Sequence, residues 1–335
     1  MIAFYLAVAM TLAFALTNGF HDAANAIATL VATRAARPIQ AVLLAAVFNL
    51  LGPLLIGAAV ADTVAGIVQI SGSPAVAVIG AGLTGAVVWN FFTWALGLPS
   101  SSSHALVGGL VGAAVLDAGP SAVNWGGLHG LRPEGVIGVL VALTVSPVLG
   151  FGVAWGLERS FLTALRRGTV RWQTPSRRGQ WVTSAWLAFS HGGNDAQKSV
   201  GILATLLLAH GTTATLSAPV WTKVACAAAL TAGTAFGGWP IVKTIGQRIF
   251  KLRVLDGMVS QASSAGIILG SSFLGAPVST TQIVSSSVVG IGVGRRRHRH
   301  VNWAIVRNIG AAWVTTLPAT AVLGALALPL WKALA

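Results

Sequence analysis

Charge is what this chain has least of. Only 8% of its 335 residues are Asp, Glu, Lys or Arg, where a soluble domain carries about 25%. Hydrophobic residues make up 55%, and the mean hydropathy is +0.78. That balance excludes an ordinary soluble domain and reads as an all-α polytopic membrane protein. Cysteine is nearly absent too. Cys226 stands alone in an apolar run, so no disulfide framework can form within the chain, and it reads as a buried thiol. No basic stretch precedes the first apolar run and no clear cleavage site follows it, so residues 2–17 read as a retained span rather than a signal peptide. The little charge there is leans basic, to a net +14. The sign alone would admit nucleic acid. The basic residues lie in loops between apolar runs, where orientation signals belong, so no nucleic-acid partner is expected.

What is present is a succession of about ten apolar segments, judged against the ~20 residues a span needs. Their approximate bounds are 2–33, 38–60, 76–97, 100–116, 135–157, 181–209, 219–246, 257–274, 278–293 and 301–330. The 40 glycines suit close packing of membrane helices. The pattern restarts half-way. Residues 1–157 read as a first repeat, 158–180 as a basic cytoplasmic loop with six arginines, and 181–335 as a second repeat.

Two motifs carry the repeat. Ala15 to Asn25, ALTNGFHDAAN, breaks the first segment with His21, Asp22 and Asn25. Residues 188–198, AFSHGGNDAQK, do the same in the second half, so that Asp22 aligns with Asp195, Gly19 with Gly192, His21 with Asn194 and Asn25 with Lys198. An aspartate within hydrocarbon costs roughly 2.5–3.5 kcal/mol on insertion scales; two at matching places mark a site. The second motif is Gly97-Leu-Pro-Ser-Ser-Ser-Ser-His104, matched by Gly275-Ala-Pro-Val-Ser-Thr-Thr-Gln282. The offset between halves is 173 residues at the aspartates and 178 at the prolines.

Five segments per half is an odd number, so the second half is expected upside down. Charge agrees. Arg34 and Arg37, the central arginines, Lys243 to Arg253 and Arg295 to His300 all fall on one face if both termini lie outside. Segments three and four, and eight and nine, are ambiguous. Each pair either crosses twice or dips in as a re-entrant hairpin with its Pro-Ser tip at the midplane, where irregular backbone must line a cavity or be buried in protein.

Pro99 followed by Ser100 to Ser103 reads as a helix N-terminus, and so does Pro277 followed by Ser279, Thr280 and Thr281. Such ends offer unpaired N–H groups and partial positive charge, a cradle for an oxyanion. The bland alternative is hydroxyls bonded to helix carbonyls. Carboxylates repel anions, so Asp22 and Asp195 are assigned to a coupling cation. A carboxyl out of water can carry a proton, and His21 adds an imidazole that titrates near neutrality. Lys198 either offsets substrate charge or simply pairs with Asp195. Asn49 and Asn90 read equally as helix–helix contacts or site residues, and His191 and Gln197 as flanking groups that orient the second motif.

These four motifs, in this order and over nearly the whole chain, resemble the inorganic phosphate transporter (PiT) family. The resemblance implies secondary import of inorganic phosphate by cation symport, no enzymatic activity, no cofactor and a homodimer in the lipid bilayer. In the family's sodium-coupled pattern both halves tend to read Asn-Asp; here the first reads His21-Asp22 and the second ends Gln197-Lys198. That is similar to the bacterial low-affinity permease branch of the inner membrane, which implies proton coupling and acceptance of metal–phosphate complexes. The expected phosphate shell is Asn25, Ser101, Ser102, Ser103, Asn194, Lys198, Ser279, Thr280 and Thr281. The expected coupling-ion groups are His21, Asp22 and Asp195, with Asp22 and Asp195 as metal ligands if sodium is the ion. A carrier of another oxyanion such as sulfate, a lipid phosphatase and a passive channel are the rival readings. The phosphatase would need a nucleophile near the interface, and a channel an open charged pore.

Overall fold

The computed structural model describes every residue except Ser71 and 165–172. Arg166, Arg167 and Arg171 of the central basic loop lie outside the described residues. The helices are α1 (Ile2–Ala32), α2 (Pro38–Leu55), α3 (Ala59–Ala65), α4 (Ser73–Ala95), α5 (Ser102–Ala118), α6 (Gly135–Ala164), α7 (Gln173–Ala209), α8 (Val220–Phe236), α9 (Trp239–Lys243), α10 (Val254–Phe273), α11 (Thr280–Gly294) and α12 (Trp303–Leu334). A short antiparallel pair, β1 (Gly127–His129) and β2 (Arg132–Glu134), lies between α5 and α6. Among the described residues five helices, α1, α2, α4, α6 and α12, are long and apolar enough to cross a membrane. A sixth span forms if α8 is joined to α9 and the π-helical turn Thr244–Arg248, across a bend of 63°. Gly237 and Gly238 sit at that bend.

Contacts at the ends resolve the hairpin ambiguity. Val68 bridges Val123, Lys332 pairs with Asp117 at 2.6 Å, and the Phe4 ring lies 4.0 Å from that of His210. One end of the molecule therefore gathers both termini and the loops after α3, α5 and α7. The other end gathers the basic loops: Trp181 Nε1 donates to Ala35 O at 3.2 Å, and Asn302 N to Ile249 O at 2.9 Å. The α4–α5 pair starts and finishes at the first end, and α10–α11 at the basic end. Their tips meet inside, where Ser103 Oγ donates to Val278 O at 3.1 Å. They are re-entrant hairpins entering from opposite ends. α12 packs on α4 and α5, and α6 packs on α10 and α11, as inverted repeats require.

The motif glycines set the packing. Gly19 of α1 lies against Gly233 of α8, and Gly192 of α7 against Asn49 of α2. A Cβ on Gly192 would come within 2.6 Å of Asn49 Cα, so only glycine allows that approach.

Three expectations change. α1 runs unbroken through Asp22, and α7 through Asp195. Both carboxylates bond sideways to the tips, which leaves the helical backbone ladder intact; the interrupted elements are the hairpins. Residues 158–164 and 173–180 extend α6 and α7 rather than forming a loop. Arg295 is more than an orientation signal. Its Nε lies 2.6 Å from Asp256 Oδ1 and 3.0 Å from Glu158 Oε1, both acids being fully buried. One guanidinium ties α6 to α10 from the end of α11.

Candidate functional site

The tips owe their shape to local chemistry. Gly97 and Gly275, at φ +64° and +71°, end α4 and α10 in the left-handed region that favours glycine. After each comes proline, then a serine cap: Ser101 Oγ accepts from His104 N and Ser279 Oγ from Gln282 N, both at 3.3 Å. The first-turn N–H groups of α5 and α11 have no partner within their own helices.

Both aspartates are buried where the tips meet. Asp22 accepts from Ser102 Oγ of one tip at 2.9 Å and from Thr281 Oγ1 of the other at 2.7 Å. His21 Nδ1 is 2.8 Å from Asp22 Oδ1. Asp195 accepts from Thr280 Oγ1 at 3.0 Å and holds the Lys198 ammonium on its other oxygen. Lys198 Nζ also donates to Ser103 Oγ at 2.6 Å and Val278 O at 3.1 Å. Asn25 Nδ2 donates to Thr281 Oγ1 at 2.9 Å, and Asn194 Nδ2 to Ser272 Oγ at 3.0 Å. Every one of the twelve expected site residues is no more than 2% exposed. They form one occluded cluster, with Ser101 and Ser279 engaged as caps.

His191 is the residue whose chemistry the sequence understated. Thr234 Oγ1 gives its single hydrogen to Leu230 O at 3.0 Å. The Asn49 atom 3.0 Å from that oxygen must then be the Nδ2 donor, which turns Asn49 Oδ1 toward His191 Nδ1, also at 3.0 Å. Nδ1 of His191 is therefore a donor, and Nε2 lies 2.9 Å from Asp195 Oδ2 without an aligned hydrogen bond. Asn25 Oδ1 and Asn194 Oδ1, buried, have no partner among the described residues either. Oxygen and nitrogen donors of Asp22, His191 and Asp195 lie within 4.8 Å of one another. Thr93 was also hidden in the sequence. It contacts His21 Nε2 at 3.1 Å and Ser100 Oγ at 2.8 Å, and no motif marks it. Asn90, by contrast, only joins α4 to Thr17 of α1 at 3.4 Å.

The site is thus two carboxylates between two hydroxyl-lined helix N-termini, duplicated by inversion. The phosphate transporter family profile matches the chain twice, over residues 18–173 and 163–324. The chain belongs to the phosphate transporter family. Relatives agree over its full length. A probable low-affinity inorganic phosphate transporter of Bacillus subtilis (strain 168) is 40% identical over 96% of this chain and 95% of its own. One from Rhizobium meliloti (strain 1021), of the same description, is 41% identical over 95% and 93%. A solved structure titled the sodium-dependent phosphate transporter has the same fold, with a TM-score of 0.86 at 23% identity over the whole of both chains. The family member described here is a membrane transporter of phosphate, not an enzyme.

Proposed function

We propose that the chain imports inorganic phosphate by cation symport, with the proton as coupling ion, by alternating access around the site between the tips. One observation carries this reading: the aspartates hold the very hydroxyls an anion would need. A hydroxyl hydrogen cannot serve a carboxylate and a phosphate at once. An anion arriving beside two ionised carboxylates also meets like charge. A proton or other cation on Asp22 or Asp195 removes both obstacles together, so ion and phosphate binding favour each other. The released Ser102, Thr280 and Thr281 then face phosphate beside the helix ends, joined by Ser103, with Ser101 and Ser279 holding those ends. Asn25, Asn194 and Lys198 complete the shell.

One feature favours the proton. His21 and His191 each lie against an aspartate, so each carboxylate has a ring nitrogen beside it that can share a proton. Lys198 keeps its ammonium on Asp195, which leaves Asp22 as the carboxylate open to a coupling ion. Sodium has its own support in the unpartnered Asn25 and Asn194 oxygens near both carboxylates. A divalent ion travelling with phosphate would draw on Asp22, His191 and Asp195. The gathering of basic loops at one end supports that end as cytoplasmic, with both termini outside.

The test is labelled phosphate uptake into proteoliposomes under an imposed pH gradient or Na⁺ gradient, each alone. Uptake is expected with the pH gradient and indifferent to Na⁺. Uptake that needs Na⁺ would overturn the proton assignment and keep symport. Full inhibition by unlabelled sulfate at equal concentration would overturn phosphate selectivity.

A further inference from the structure

Each hairpin tip is held from its far side by one threonine. Thr63 Oγ1, in α3, donates to Gly275 O at 2.8 Å and shares its hydrogen with Ala59 O, one turn back, at 3.2 Å. Thr244 Oγ1, in the π-helical turn, donates to Gly97 O at 2.9 Å and shares with Pro240 O, one turn back, at 3.2 Å. The two threonines stand at matching places in the inverted halves, and each bonds the glycine that turns the tip.

The tip is thin there. Gly275 O faces Thr63, while the next carbonyl, Ala276 O, accepts from Asn194 Nδ2 of the central cluster at 3.2 Å. A single peptide unit separates the site from what lies beyond. Beyond it is a cleft of about 490 Å³ at the end carrying the termini, lined by Asp62, Thr63, Asn124, Arg132, Glu134 and Gly275 among others. In the other half, Gly97 O faces Thr244, and Ser100, three residues on, reaches His21 Nε2 at 3.2 Å. Thr63 is partly exposed, whereas Thr244 is 3% exposed.

We infer that Thr63 and Thr244 are paired latches, each closing the route from one end of the molecule to the central site. A threonine hydroxyl that lets go of the glycine carbonyl keeps an acceptor in its own helix. Release therefore leaves no buried hydroxyl orphaned, and the latch opens at the cost of one hydrogen bond to the glycine carbonyl. Alternating access then requires that the Thr63 and Thr244 bonds are not both open at once. The inference rests on the alternating-access reading above and adds the residues that gate it.

The experiment reads access, not transport. Reporter cysteines Ser272→Cys and Ser100→Cys, one behind each latch, are placed separately in a Cys226→Ala background. A membrane-impermeant anionic thiosulfonate is applied to right-side-out and to inverted membrane vesicles, without phosphate or ion gradients. Thr63→Val is expected to speed labelling at position 272 about fivefold, the effect of losing one hydrogen bond, and only from the end with the termini. Thr244→Val is expected to do the same at position 100 from the basic end. Thr63→Ser and Thr244→Ser, which keep the hydroxyl, are expected to label at the parental rate. No change with valine, a rise from both ends, a rise from the same end for both variants, or a rise as large with serine would each overturn the latches. A variant that is merely misfolded exposes its reporter from both sides of the membrane, which counts against the proposal. Because no phosphate is present, a failure here leaves the uptake experiment to judge the symport reading.

Discussion

At the scale of single residues, the buried charges depend on partners that the hydropathy pattern conceals. Lys198 is held by Asp195, Ser103 and Val278, from α7 and both tips. Removing one partner of a buried pair leaves the other uncompensated, at about 3–5 kcal/mol. Lys198→Met alone is therefore expected to lower stability by that order, and Lys198→Met with Asp195→Asn to recover much of it. Thermal unfolding of detergent-purified variants checks this, and additive losses would show the pair is not coupled. Arg295 makes the same kind of prediction away from the site. Arg295→Ala removes the guanidinium that lies between Glu158 and Asp256 and should destabilise by a similar amount. Asp22, Asp195 and Lys198 could be picked out from the sequence because charge inside an apolar run is expensive. Glu158 and Arg295 could not, since each lies at the end of a run where a charge is ordinary.

At the scale of elements, the repeat explains why two long helices cross beside two hairpins. α1 and α7 each present a glycine to a helix of the other half's packing layer and, from the same motif, an aspartate to the tips. Gly192→Ala forces α2 and α7 apart at Asn49, whose side chain also accepts from His191 Nδ1. Overpacking of this kind costs roughly 1–3 kcal/mol. The expected outcome is a lower unfolding temperature together with weakened phosphate uptake; uptake at the parental level would show that Asn49 does not set the site. Spans and motifs were legible from hydropathy and residue type. The continuity of α1 and α7 was not, because a polar side chain reads as a break unless its tertiary partner is known.

For the whole molecule, inversion is the organising fact. Odd segment number and charge bias implied it, and the mirrored contacts of α12 on α4–α5 and α6 on α10–α11 realise it. Two hairpins from opposite ends then share one site, so a route can open on either side of the same residues. A reporter enzyme that folds only outside the cytoplasm, fused to either terminus, should be active in both fusions. Activity in one fusion alone would contradict a common side for the termini.

The sequence alone determined the membrane class, the two repeats, their inversion and the four motifs. These rest on local quantities: hydropathy over ~20 residues, charge in loops, and residue type at a turn. The tertiary structure decided that the hairpins re-enter, that Ser102 and Thr281 converge on Asp22, and that Thr63 and Thr244 fasten the tips. The side-chain contacts among these join residues 80 to 259 positions apart along the chain, from Ser102 and Asp22 to Thr281 and Asp22. No local pattern encodes such a contact; it exists only once the two inverted halves have packed against each other.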